Sequence, residues 1–73
     1  MTNNPNFSKM LWEIRRLKDE RKLSVTTETS DDKRTKIVHY EGNGRVYRVS
    51  YFDKKPIEIY YKIEGQVEGH LYE

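Results

Sequence analysis

The sequence contains no cysteine and no alanine, and it has only 2 prolines and 4 glycines among its 73 residues. Without cysteine there can be no disulfide and no thiolate zinc site, the usual supports of small secreted domains, so we expect a cytosolic protein. No apolar run exceeds three residues, so we expect no membrane-spanning helix. The first ten residues hold three Asn and one Pro instead of a basic start and an apolar run, so we expect no secretory signal.

A large excess of charge of one sign is also missing. The 14 Lys and Arg residues and the 12 Asp and Glu residues are interspersed, and the net charge is +2. This balance suits a soluble surface better than purely electrostatic capture of nucleic acid. Because folding at this size hides only about 60% of the surface of the unfolded chain, we expect one domain, 1–73, with one thin core and little room for an enzyme cleft.

Helical spacing is clearest near the start of the chain. At 100° per residue its apolar side chains cover an arc of about 120°, the width of a core-facing stripe. The pattern predicts a helix over about residues 5–22, capped by Asn4 and stopped by the β-branched run that begins at Val25. The stripe, here called the apolar helix stripe, consists of Phe7, Met10, Leu11, Ile14 and Leu17.

After the helix the hydrophobic period changes to two, with many β-branched and aromatic residues. Asn43-Gly44 predicts a type I′ turn, and Gly65-Gln66 predicts a type II′ turn. Every connection is too short for a crossover helix, so the class is α+β: an N-terminal helix packed on an antiparallel meander of about five strands, with a small barrel as the alternative. The predicted strands are 23–29, 36–41, 45–52, 57–64 and 67–72.

Two of these strands carry apolar residues on one face. The sequence predicts that this face receives the apolar helix stripe and forms the core. Its members are Tyr47, Val49 and Tyr51 on the third strand and Ile57, Ile59, Tyr61 and Ile63 on the fourth.

Signals of catalysis or metal binding are weak. Gly42 and Gly44 are followed by a strand, whereas a phosphate-binding loop requires a helix. A metal site would require His39 and His70 to meet beside Glu41 or Glu68. We therefore expect no enzyme, no metal site and no cofactor.

Trp12 lies about 100° around the helix from Leu11, outside the apolar helix stripe. Arg15 and Arg16 follow it at helical spacing, and Asp19 is one further turn away. Tryptophan and arginine are enriched where binding energy concentrates, so these four residues predict a protein-contact patch. Packing of Trp12 under a loop or the N-terminal arm is the open alternative.

The opposite face of the predicted sheet combines aromatic rings with cations, the combination that holds single-stranded nucleic acid. Glu58 and Glu64 share that face, so a solvated surface is the alternative. The candidate contacts are Arg48, Phe52, Tyr60 and Lys62, with Lys54 and Lys55 in the adjoining turn.

These patterns favour a small cytosolic, non-enzymatic protein-binding module, an accessory or inhibitory protein of a bacterium or phage. A nucleic-acid-binding module is the second hypothesis. Self-association is a further expectation, since four residues also fit the a and d positions of a coiled coil. Those residues are Phe7, Met10, Ile14 and Leu17.

Overall fold

The computed structural model describes residues 5–65 and 68–73. Helix α1 spans Pro5–Asp19 and buries the apolar helix stripe. Phe7, Ile14 and Leu17 are buried, while Met10 and Leu11 pack against them at the margin. The predicted helix and its core-facing stripe are confirmed. The proposed cap, Asn4, lies outside the described residues.

The helix ends three residues before its predicted limit at residue 22, and the cause is local. Arg21 adopts a left-handed backbone, with φ 61°, and its N–H donates to the Lys18 carbonyl at 2.9 Å. The N–H of Lys22 donates to the Leu17 carbonyl at 3.0 Å. This pair of bonds is a Schellman motif, which satisfies the last carbonyls of a helix and reverses the chain. The β-branched run therefore does not itself stop the helix.

The five strands form one antiparallel sheet in sequence order, so the predicted meander and the α+β class are confirmed. Among the described residues β1 and β5 do not pair, so the sheet is open and the barrel alternative is wrong. Gln66 and Val67, assigned above to the last turn and strand, lie outside the described residues. The strands are β1 (Ser24–Thr29), β2 (Thr35–Gly42), β3 (Arg45–Phe52), β4 (Lys55–Ile63) and β5 (Glu68–Tyr72).

Two-residue turns join the central strands. Asn43 and Gly44 have φ values of 51° and 70°, the positive pair that a type I′ turn requires, as predicted. Asp53 and Lys54 have φ values of 50° and 69°, so a second turn of this kind joins β3 to β4. The predicted strands 45–52 and 57–64 leave four residues in this connection, so the turn is shorter than predicted and β4 begins two residues earlier, at Lys55.

A β-bulge displaces Ile57 from the core. Ser50 pairs with Glu58 and Tyr51 pairs with Pro56, so Ile57 is the extra residue on β4. Its side chain is 42% exposed, whereas Ile59, two residues later, is fully buried. The prediction that Ile57 shares the core face was therefore wrong, because strict alternation fails at a bulge.

The core lies between α1 and one face of β2, β3 and β4. Tyr47, Val49 and Ile59 occupy its centre, as predicted, and they pack beside Val38 and Tyr40 from β2. The backbone of α1 approaches β4 and β5 most closely. Strand β1 is consequently left uncovered, and each of its six residues is exposed.

Candidate protein-binding surface

Trp12 projects from the outer side of α1 and is 73% exposed. No loop of the described chain covers the ring, and the N-terminal arm, residues 1–4, lies outside the described residues. It lies in a shallow depression that also contains Arg15, Arg16 and Asp19. The residues lining this depression, here called the Trp12 surface, are Ser8, Lys9, Trp12, Glu13, Arg15, Arg16 and Asp19.

The Trp12 surface carries three cations, Lys9, Arg15 and Arg16, and two carboxylates, Glu13 and Asp19. Lys9 makes no hydrogen bond or ion pair with any residue that the structure describes. The Nε atom of Arg16 lies 3.8 Å from Glu20, a loose and exposed pair whose net attraction in water is small. Cations are therefore available beside the exposed indole ring.

Glu13, a carboxylate on the Trp12 surface, is held by the sheet. Its Oε1 atom accepts a hydrogen bond of 2.8 Å from Nη1 of Arg45, the first residue of β3. The same Nη1 atom donates to the hydroxyl of Tyr47 at 3.1 Å. These hydrogen bonds raise the pKa of Arg45 above its ordinary value, and the bond to Tyr47 makes the larger contribution. Since Glu13 is already paired, it offsets little of the positive charge around Trp12.

Arg15 is close enough to β2 to act on Tyr40. Burial raises the pKa of Tyr40 above its ordinary value, and the neighbouring Tyr51 adds to this effect. The positive charge of Arg15 opposes both influences.

The opposite face of the sheet, here called the outer sheet face, carries a line of interacting side chains. The register places Arg48, Tyr60 and His70 side by side on β3, β4 and β5. The Arg48 guanidinium lies 4.8 Å from the Tyr60 ring centre, and the Tyr60 and His70 rings are 5.1 Å apart. Arg48 and Tyr60 are therefore already in contact with each other in the folded chain.

Carboxylates occupy much of the same outer face. The Tyr60 hydroxyl donates to Glu68 at 2.6 Å, and this bond is the main reason that the pKa of Tyr60 is raised. Glu58 lies 3.0 Å from Nδ1 of His70 and raises the pKa of Tyr72 by its charge. Polyanions would meet negative charge beside each ring of this line.

The other nucleic-acid candidates are spread along the outer sheet face. Phe52, 45% exposed, pairs with Lys55 at the far end of the β3–β4 hairpin, and Lys54 lies in the turn itself. Lys62 is near the opposite end of β4, where it pairs with Glu68. The structure therefore brings Arg48 and Tyr60 together, with Lys62 two residues further along the same face of β4, and separates them from Phe52, Lys54 and Lys55 at the turn.

The two histidines do not meet. His39 is on β2 and His70 is on β5, with β3 and β4 between them. Nε2 of His39 lies 3.6 Å from Glu28, too far for a hydrogen bond, and has no other polar partner in the described chain. Residues 5–65 and 68–73 contain no group of three or more His, Cys, Asp or Glu side chains placed to hold a metal ion.

Comparison of the chain with family models, with curated proteins and with solved structures found no match. In the part of the chain that the structure describes, α1 lacks the length and the apolar character needed to cross a membrane.

Sequence analysis missed Lys9 and Glu13 as members of the Trp12 surface. Lys9 precedes Trp12 by three residues, so the helical spacing already contained that signal. The pairing of Glu13 with Arg45 had no such signal, because 32 residues separate the two in the chain.

Proposed function

We propose that this chain is a small, non-enzymatic protein-binding module whose Trp12 surface binds an acidic, partly apolar segment of a partner protein. The observation that carries the proposal is the exposure of Trp12, at 73%. A cytosolic setting and a bacterial or phage origin are part of the same proposal, as expected from the sequence.

Folding alone gives no reason for an exposed indole ring at this position. The apolar helix stripe already fills the space above the sheet, and Ile14, two residues from Trp12, is fully buried there. Large aromatic side chains are usually covered, and tryptophan and arginine are enriched where the binding energy of interfaces concentrates. Burial of the Trp12 ring by a partner would supply the apolar part of the binding energy.

The charges around the ring indicate the chemistry of the partner. Lys9, Arg15 and Arg16 lie around Trp12, and of the two carboxylates on this surface Glu13 is occupied by Arg45, which leaves three cations against Asp19. Arginine pairs with carboxylates through two parallel hydrogen bonds and also stacks on aromatic planes. An acidic segment that carries one apolar side chain satisfies both the ring and the cations.

The second hypothesis, nucleic-acid binding by the outer sheet face, is less well supported. Arg48 is engaged by Tyr60, and Glu58 and Glu68 flank that pair. Single-strand binders need cations that follow the phosphates and rings free to stack on bases. The mixed charge of this face therefore favours the Trp12 surface as the binding site.

Fluorescence titration tests the proposal directly, because Trp12 is the single tryptophan of the chain. The probe is a peptide rich in Asp and Glu with one central Leu, and its control carries Lys at every acidic position. The acidic peptide should shift Trp12 emission to shorter wavelength, with an affinity that falls as salt is added. No shift with the acidic peptide, or equal shifts with both peptides, would overturn the proposal.

Charge-reversal variants locate the site. Arg16→Glu should weaken binding of the acidic peptide, whereas Arg48→Glu, on the outer sheet face, should leave it unchanged. A labelled single-stranded oligonucleotide tests the second hypothesis at low salt. Oligonucleotide binding that is lost in Tyr60→Ala and retained in Trp12→Ala would overturn the proposal in favour of the outer sheet face.

A further inference from the structure

We infer that β1 is a self-pairing edge: it joins β1 of a second copy antiparallel, about a two-fold axis at Thr27, so that the two sheets become continuous. The inference is independent of the Trp12 surface, which lies on the helix. It follows from three features of the strand: the direction of its free backbone groups, its lack of protection and its symmetric register.

The hydrogen bonds around β1 show which of its backbone groups face away from β2. The Ser30 N–H donates to the Thr35 carbonyl at 2.9 Å, so these two residues form a hydrogen-bonded pair. Such pairs recur at every second residue of an antiparallel ladder, and Thr26 and Glu28 therefore bond to β2. The intervening residues direct their N–H and C=O groups outward: Val25, Thr27 and Thr29.

The hydrogen bonds between β2 and β3 agree with this assignment of the outward-facing residues of β1. The Asp53 N–H donates to the Arg34 carbonyl at 2.9 Å, which makes Val38 and Val49 a hydrogen-bonded pair of the β2–β3 ladder. Val38 thus bonds to β3 and not to Thr27, its partner in the β1–β2 register. The outward direction of the Thr27 backbone is therefore supported from both sides of β2.

Strand β1 lacks the devices that usually block edge pairing. Exposed edges are commonly protected by lysine, proline, a bulge or a covering helix. The segment Ser24–Thr29 contains no lysine or proline, its register with β2 is uninterrupted, and all six residues are exposed. Its one charged side chain, Glu28, lies 3.6 Å from His39 of β2. The bulge of this sheet is on β4, next to Ile57, and so does not protect β1.

With the two-fold axis at Thr27, the free backbone groups of each outward-facing residue find partners in the second copy. Thr27 pairs with Thr27 of the second copy, and Val25 pairs with Thr29 in both directions. Glu28 then lies opposite Thr26, so no like charges face each other. A shift by one step that centres the axis on Glu28 would place two glutamates directly opposite, which is destabilising.

The symmetry of the strand itself identifies a second copy as the occupant. The three outward-facing residues, Val25, Thr27 and Thr29, are spaced evenly about Thr27. A second copy therefore presents the same free N–H and C=O groups in matching phase, and all of them pair at once. The flanking segments carry charges of both signs, so neither end of the paired strands opposes the contact by its net charge.

The test uses the residue on the axis. Thr27 is exposed, so Thr27→Lys and Thr27→Glu should both fold, but each places like charges opposite each other in the pair. Sedimentation equilibrium up to about 1 mM protein should show a reversible dimer for the wild type, in the range expected of a small interface. Each variant alone should bind itself about fivefold more weakly, whereas an equimolar mixture of the two should regain wild-type or tighter association.

Thr27→Ala is the matched control and should still dimerise, because it retains the backbone N–H. Amide hydrogen exchange gives a second readout: Val25, Thr27 and Thr29 should become protected as concentration rises, with no change at Thr26. A monomer at every concentration would leave the edge to a strand of another protein and overturn the inference. A dimer that the mixture of charged variants does not restore would also overturn it, since its contact would lie elsewhere.

Discussion

Glu13 and Arg45 join the helix to the sheet through a hydrogen-bonded ion pair of 2.8 Å. Glu13 follows Trp12 directly, so this contact ties α1 to β3 beside the point where the exposed ring emerges. Arg45 also donates to Tyr47, a residue with no solvent exposure at the centre of the core. One guanidinium thus connects the core, the sheet and the Trp12 surface.

Removing Arg45 should cost more stability than removing Glu13. Both partners of the pair are about one third exposed, so Glu13→Ala should cost only about 0.5 to 1 kcal/mol. Arg45→Ala also deprives the buried Tyr47 hydroxyl of its hydrogen bond, and the total should reach about 2 kcal/mol. Urea unfolding of both single variants and the double variant measures the difference. Equal losses for the two single variants would show that the bond to Tyr47 contributes nothing.

Trp12 and Ile14 should respond in opposite ways to truncation. Trp12→Ala should leave the melting temperature nearly unchanged, because the ring is exposed. Ile14→Ala creates a cavity at a fully buried position and should cost about 2 to 5 kcal/mol. Thermal unfolding followed by circular dichroism compares the two variants. A large stability loss in Trp12→Ala, together with blue-shifted emission in the wild type, would contradict the exposed position of the ring.

The bulge on β4 should be visible in a comparison of Ile57 with Ile59. Ile57→Ala should cost less than about 1 kcal/mol, since the bulge leaves this side chain 42% exposed. Ile59→Ala should cost about 2 to 5 kcal/mol at a fully buried site. Denaturant unfolding of the two variants measures both values. Similar losses of unfolding free energy in the two variants would mean that β4 pairs with β3 without a bulge at Ile57.

Tyr60 should lose its proton at higher pH than an ordinary tyrosine, whose pKa is 10.0, because its hydroxyl donates to Glu68. Glu68→Gln should lower the pKa of Tyr60, whereas Glu58→Gln should lower that of Tyr72 instead. Nuclear magnetic resonance titration of the two rings measures both changes. An unchanged pKa of Tyr60 in Glu68→Gln would contradict the hydrogen bond.

The raised pKa of Tyr60 also makes the free energy of unfolding depend on pH, because the folded and unfolded chains bind its proton with different affinity. Because the folded-state pKa of Tyr60 is raised, its contribution to stability is fully present below the unfolded value of 10.0. The contribution is lost as pH rises through the folded-state pKa. Alkaline unfolding of the wild type and of Glu68→Gln should therefore converge at high pH.

Local features of this protein were predictable from the sequence because they depend on near neighbours. The spacing of Phe7, Ile14 and Leu17 defined the buried side of α1, and Asn43-Gly44 defined a hairpin through its backbone preference. Trp12 could be placed outside the apolar helix stripe for the same reason. Its position next to cations followed directly from helical geometry.

Other features depended on contacts that the tertiary structure alone decided. The left-handed conformation of Arg21 and the bulge at Ile57 arise at residues with no glycine to signal them. Self-association through the apolar helix stripe, an expectation from its a and d spacing, lost its surface when Phe7, Ile14 and Leu17 packed on the sheet. Dimerisation itself stays a prediction, now assigned to β1.

Sequence by itself determined which segments are helix or strand and which side of each is apolar, since hydrophobic periodicity and turn chemistry act over a few residues. Only the tertiary structure decided that Glu13 reaches Arg45 across 32 residues and that α1 covers β4 and β5 while leaving β1 open. The physical reason is that an apolar face specifies burial but not the partner that buries it. The partner is chosen by the register and twist of the whole sheet.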